Sequence, residues 1–410
     1  MSSRSAAADR ERVPTTRVAA GAGSLASIVL IGANLRAALT GVGPLLPGIE
    51  HSTGLTGAWV GLLGALPLLT FAVTSPLAGR ISHRYGTPRV LGGSLLVLMV
   101  GLLVRSLPGA VFLFGGTVVV SAAIACGNVL LPAVVKGAVP PARVGQVTGL
   151  YVTAMGLVAA VSSGVSVPLA DALPGGWHTA LGCWALLAAA ALLVWLPQQG
   201  RLNTVSSSAR VRARSPWRSC LAWQVSVFMG LQSLCFFSTI AWLPSIVHDH
   251  GTGETGAGWL LFLFQLAGLL SASTLPLLTR RWTDQRSLAA AASTLCAFGF
   301  ALLAADPGLA LVSSVLLGLG GGTCLVLALT FQGQRAADEP QAAALAAMAQ
   351  SIGYLVAAAG PLLLGVLHDL TGTWTTPLLA LVALALLQTV VGAGAGRDLT
   401  ILPTGKERPS

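Results

Sequence analysis

The chain has 410 residues, 54% of them hydrophobic and only 9% charged, with a formal net charge of +10 and a mean hydropathy of +0.79. An average soluble domain carries roughly 25% charged residues, so this composition excludes an ordinary globular protein, a disordered chain and a nucleic-acid-binding domain; too few polar side chains remain to cover a water-facing surface. The 49 glycines and 22 prolines follow no period of three and are spread through apolar runs, as they are in transmembrane helices.

A spanning helix needs about 20 mostly apolar residues. In chain order the sequence predicts twelve, over 23–46, 57–79, 89–107, 110–135, 146–169, 177–196, 221–245, 257–279, 287–304, 308–331, 342–367 and 374–395. Continuous runs of this length read as helices, because barrel strands alternate and are about half as long. Arg4, Arg10, Arg12 and Arg17 precede the first run. That run is long and lacks a clear cleavage pattern, so it reads as a retained span and not a signal peptide.

Lys and Arg set the orientation. With the N-terminus inside, 21 of the 23 basic residues fall in inside segments; Arg105 falls in an outside loop, and Arg36 lies within span 1. The basic balance is thus a topology signal facing anionic lipid, with both termini cytoplasmic in the cell membrane. The predicted organisation is a cytoplasmic N-tail (1–22), a first six-helix bundle (23–196), a basic linker (197–220), a second six-helix bundle (221–395) and a cytoplasmic C-tail (396–410). The halves echo each other: Pro76, Leu77 and Arg80 recur at the same spacing as Pro276, Leu277 and Arg280, each set closing the second span of its half. The fold class is therefore an all-α polytopic membrane protein of twelve transmembrane helices in two pseudo-symmetric six-helix bundles. Secondary transporters use this plan around a midplane site.

The segment GRISHRYGTPR (Gly79 to Arg89) resembles the loop 2–3 signature of the major facilitator superfamily. Gly79, Arg84, Gly86 and Arg89 fit that pattern; His83 stands where an Asp is usual. Five further segments, ANLRAALTGVGPLLPGI, GNVLLPAVVK, VTGLYVTAMG, AWLPSI and AQSIGYLVAAAGPLLLGVLHDLTGTW, together resemble the cyanate and 2-nitroimidazole transporter family within that superfamily. The resemblance implies the major facilitator fold and the movement of small, often anionic, solutes. It does not carry over the identity of the cargo.

Arg36 is the strongest single candidate. It lies about 14 residues into span 1, roughly 20 Å along the axis, where a charge costs about 2.5–3.5 kcal/mol on insertion scales. Either it faces a central cavity and binds an anion, in bidentate fashion, or backbone carbonyls at broken helix ends satisfy it. Gly32, Thr40 and Gly43 share its helix face. Asn34, about 200° away around the helix, reads as a helix–helix hydrogen bonder. Asn128, Tyr151, Gln232, Gln265, Gln350 and Tyr354 are further polar candidates for orienting a solute; intramembrane amides also serve as interhelical ties. Lys136, at the end of span 4, snorkels to the lipid surface or acts as an inner gate. Trp242 and Trp259, near outer helix ends, read as interface anchors.

No Asp or Glu lies deep in a span, which argues against a buried carboxylate relay. No nucleotide-binding pattern is present. Six cysteines without a CxxC pair read as small buried hydrophobes, and neither metal nor cofactor is implied. The expected protein is a transporter and not an enzyme. Its partners are a small anionic or polar solute and the bilayer; uptake of an anion against the membrane potential would take a co-transported proton, exchange or a steep gradient, and a monomer is expected. A multidrug or toxic-compound exporter of neutral or cationic molecules is the alternative.

Overall fold

The computed structural model describes residues 22–55, 57–199, 216–278, 284–337 and 339–401. Among these are fourteen α-helices and no strand. They are α1 (Ala22–Thr40), α2 (Leu46–Thr53), α3 (Gly57–Tyr85), α4 (Thr87–Arg105), α5 (Ala110–Ala138), α6 (Pro141–Ala172), α7 (Trp177–Gly182) and α8 (Trp184–Trp195), followed by α9 (Cys220–Asp249), α10 (Glu254–Leu278), α11 (Arg286–Ala305), α12 (Ala310–Gln334), α13 (Glu339–Thr371) and α14 (Thr375–Ala395). They build twelve segments long and apolar enough to cross a membrane. The tails beyond residues 22 and 401, linker residues 200–215, and Arg280 and Arg281 lie outside the described residues.

Two spans are broken, and the reasons are local. Span 1 runs further than the 23–46 expected, to Thr53. Pro44 has no N–H to give Thr40, so α1 stops and a 3-10 turn over Gly43–Leu45 leads into α2. The break frees the Ala38 carbonyl, because Val42 N turns to Leu39 O while Gly41 N still bonds Ala37 O, and side chains gather at this end of α1. Ser162 Oγ donates to Ala37 O at 2.8 Å, and Arg105 Nη1 to Ala38 O at 2.8 Å. Span 6 divides at Cys183 into α7 and α8. Between α3 and α4 the chain turns at Gly86 with φ +87°; with ψ 134° this is backbone that only glycine adopts without strain.

Packing repeats in the two halves. In the first, α1 lies against α6, α5 and α8, α3 against α5, and α4 against α5 and α8. In the second, α9 lies against α13, α12 and α14, α10 against α12, and α11 against α12 and α14. Shifting each span by six converts one set into the other. The two halves meet along α3 with α13 and along α6 with α10, and the same shift exchanges these two seams. The repeat first visible at Pro76–Arg80 is thus a property of the whole chain.

α1 begins and α14 ends on one face of the bundle, the near face; Thr53, Asp249 and Thr371 end helices on the opposite, far face. Both seams are shut toward the far face. A Cβ on Gly61 would lie 2.6 Å from Pro361 O, and one on Gly258 2.9 Å from Ser163 O. Asp369 Oδ2 accepts a hydrogen bond from Ala58 N at 2.8 Å, one half capping the first turn of a helix in the other.

Candidate functional site

Between the halves lies a cavity of about 380 Å³. Its walls come from both bundles: Arg36, Thr40, Phe71, Thr117, Asn128, Tyr151 and Met155 from the first, and Met229, Phe237, Ile240, Leu329, Gln350 and Tyr354 from the second. Asn128 and Gln350 are exposed and lie about three turns from the near-face ends of α5 and α13. The cavity therefore opens toward the near face and is blind at the far end.

Arg36 sits partly buried in the wall. Its guanidinium lies over the Phe236 ring, 4.8 Å from the centroid. Among the described residues the ion pairs are Arg286 with Asp284 and Arg335 with Asp398, and no carboxylate lines the cavity. A cation–π contact contributes about 0.5–2 kcal/mol, whereas taking an ion out of water costs several. The ring alone does not offset the burial of this charge. Tyr354 stands in the same wall, its ring edge-on to Phe71 with centroids 5.7 Å apart. Tyr151 is buried, where α6 meets α1 so closely that a Cβ on Gly32 would lie 3.0 Å from Tyr151 O. Thr40 lines the cavity with its hydroxyl turned into the wall, donating to Ala159 O at 2.9 Å.

Two sequence candidates lie elsewhere. Gln232 is buried inside the second bundle, beside a small void that it shares with Cys235, Cys296 and Cys324, and donates to Ser233 Oγ at 2.7 Å. Gln265 ties α10 to α6, donating to Ser163 Oγ and to Ala159 O. Both amides find protein partners away from the gap, Gln232 on its own helix and Gln265 across the α10–α6 contact. Asn34 is such a tie as well, donating to Leu30 O at 2.8 Å and Leu187 O at 3.3 Å. Gly79, Arg84, Gly86 and Arg89 lie at the near-face corner of α3 and α4, with Arg84 over the Tyr85 ring. Lys136 is exposed near the end of α5, outside the cavity wall.

Two sequence-based expectations need correction. Trp242 is not an interface anchor: it is 1% exposed and its Nε1 donates to Pro361 O at 2.8 Å, tying α9 to α13. Trp259 is exposed as expected. Arg105 is not an outside-loop residue. It ends α4, is fully buried, and borders the blind end of the cavity. No depth signal marks it along the chain, because a residue at a span's last position reads as interfacial. Its burial comes from α5, where Gly116 lets the Arg105 backbone approach closely, and from the broken end of α1 across the bundle. Phe236 was likewise unmarked among the apolar residues of α9.

Comparison with known proteins agrees with this architecture. The family model of the Major Facilitator Superfamily matches residues 28–361 and 226–398. The chain is 44% identical over 384 residues to the 2-nitroimidazole transporter of Escherichia coli (strain K12), covering 92% of this chain and 96% of that one. It is 33% identical over 361 residues to the cyanate transport protein CynX of the same organism, covering 85% and 90%. The crystal structure of D-xylose-proton symporter superposes with a TM-score of 0.73 at 13% identity, over 92% of this chain and 99% of that one, a likeness of fold. Twelve membrane-crossing helices, two repeated halves, a cavity between them and relatives matched almost end to end place the chain in the major facilitator superfamily, within the family of cyanate and 2-nitroimidazole transporters, as a multi-pass membrane transporter of small solutes.

Proposed function

We propose that the protein is a secondary-active transporter of a small anionic or polar solute, resident in the cell membrane with both termini cytoplasmic. Arg36 is the primary contact for the solute's negative end. The single observation that carries this reading is an unpaired guanidinium in a cavity whose lining holds no carboxylate. Phe71, Phe237, Tyr151 and Tyr354 supply flat and edge-on surfaces for a planar solute, and Asn128 and Gln350 supply amide donors at the open end. The basic near-face segments support reading that face as cytoplasmic, and on that reading the cavity described above is open inward. Alternating access then consists of opening the far seam and closing the near one, with the halves rocking about the α3–α13 and α6–α10 contacts. An inside-negative potential opposes monoanion uptake by about 2.3 kcal/mol per 100 mV. Uptake therefore takes a co-transported proton or exchange, whereas outward movement is electrically downhill. An exporter of cations fits less well, because a cation would meet Arg36 with no carboxylate to offset it.

The test is a thermal-shift panel on purified protein, followed by flux in proteoliposomes with and without a pH gradient. Cyanate, nitroimidazoles and small carboxylates form the anionic and polar arm; quaternary ammonium compounds form the cationic arm. At 100 times Kd a ligand stabilises by about 2.7 kcal/mol. Stabilisation by the cationic arm alone would sink the proposal. As an internal control, Gln232→Met is expected to leave the affinity of the best binder within about twofold. That side chain already has its partner within the second bundle, and the swap roughly conserves volume. A tenfold loss measured by the same titration would return Gln232 to the site.

A further inference from the structure

We infer that the cavity is a two-cation site, in which Arg105 recognises a second acceptor group of the transported anion. The preferred substrate class is therefore an anion with two acceptor ends, such as a small dicarboxylate. This rests on the reading of Arg36 given above.

Arg105 is fully buried and borders the same cavity as Arg36. Its Nη1 donates to Ala38 O at 2.8 Å. Its Nε and Nη2 are buried with no hydrogen-bond partner, and the two ion pairs among the described residues do not involve it. A purely structural arginine that ties a broken helix end would be expected to spend its remaining donors on nearby carbonyls. Here one donor holds α1 and two are left over, a high cost in a dry wall unless a partner arrives. The carbonyl that holds Arg105 belongs to Ala38, two residues beyond Arg36 and a rise of about 3 Å along α1. The two guanidinia thus attend one chamber at successive depths: Arg36 along the open part, Arg105 at the blind end beside Thr117 and Thr40. Nε and Nη2 form one edge of a planar fork, which matches the two oxygens of a carboxylate. Arg105 is fully buried in this state, so its contact is completed when the wall at the blind end parts as the far seam opens. A one-ended anion satisfies Arg36 and leaves the blind end unpaired; a two-ended anion satisfies both.

The experiment measures binding and counterflow for matched pairs on the full-length protein: acetate with malonate, butyrate with succinate, and benzoate with terephthalate. The expected result is at least a tenfold preference for the best two-ended member over its one-ended partner. In Arg105→Gln, which keeps a donor for Ala38 O, that preference falls to within twofold while one-ended affinity changes by less than threefold. Arg105→Lys keeps the charge but not the fork, and is expected to lose at least threefold of the preference. It also serves as the readout if the Gln variant does not fold. A merely structural role predicts that both classes weaken together with an unchanged ratio, which would overturn the proposal, as would an absent preference in the unaltered protein. If neither class binds at all, the anion reading of Arg36 fails too; one-ended binding without preference sinks only the two-cation site.

Discussion

Replacing Arg36 by methionine is expected to make the empty protein more stable and to remove its anion binding. The two effects have opposite signs because they draw on the same unpaired charge. In the empty cavity the guanidinium has the Phe236 ring at 4.8 Å as its contact. A charge at this depth costs about 2.5–3.5 kcal/mol on insertion scales, part of which cavity water returns. Methionine keeps much of the stem's volume and none of that cost, so a gain of about 1–3 kcal/mol is expected, read as a higher unfolding temperature without ligand. With ligand the sign reverses. Truncating one member of a desolvated charge pair costs about 2–5 kcal/mol, on the order of 30- to 5,000-fold in Kd. Arg36→Lys keeps the charge but gives up the planar fork, and is expected to fall between the two. Titration of the same solute against all three proteins decides the matter. Unchanged affinity in both variants removes Arg36 from the site, and lower stability in the empty methionine variant means the arginine is structural.

Gly61→Leu is expected to abolish transport by holding the far seam apart. The α3–α13 contact is so close there that even a Cβ would sit 2.6 Å from Pro361 O, against roughly 3.5–4.0 Å for an unstrained contact. The obstructing atom is backbone in a packed helix and cannot swing aside. Overpacking of this kind costs about 1–3 kcal/mol, and 2 kcal/mol moves a two-state equilibrium about 30-fold. Trp242 and Asp369 hold the same region, through Pro361 O and Ala58 N, so the strain is released by parting the halves. A cysteine introduced at Leu46, buried in the cavity wall, provides the measurement. In the Gly61→Leu background it is expected to react at least tenfold faster with a membrane-impermeant thiol reagent applied from the far side. Equal rates with and without the leucine would show that the seam absorbs the side chain.

The site was legible in part, and the split follows physical lines. Arg36, Asn128, Gln350, Tyr151 and Tyr354 stood out as polar groups in apolar runs, and the structure brings all five to one cavity. Gln232 and Gln265 carried the same signal, but the first is satisfied on its own helix inside the second bundle and the second ties α10 to α6. An amide in a span is costly wherever it sits, so cost alone does not separate a cavity wall from a tie. Arg105 carried the opposite signal. At the last position of a span it resembled any interfacial arginine, and only the approach of Gly116 and the freed carbonyl of Ala38 bury it.

The solvent, the number of spans, their alternating direction and the doubling of the chain are all written in the order of residues. Each of these follows from one-dimensional quantities: the length of an apolar run against the bilayer's thickness, the placement of Lys and Arg, and recurrence along the chain. Only folding settles which face of each helix meets water, lipid or another helix, which seam is shut and which arginine keeps unused donors. These depend on contacts between residues far apart in the chain, such as Trp242 with Pro361, Ala58 with Asp369 and Arg105 with Ala38. In an almost uniformly apolar chain, hydrophobic periodicity is too flat to announce them in advance.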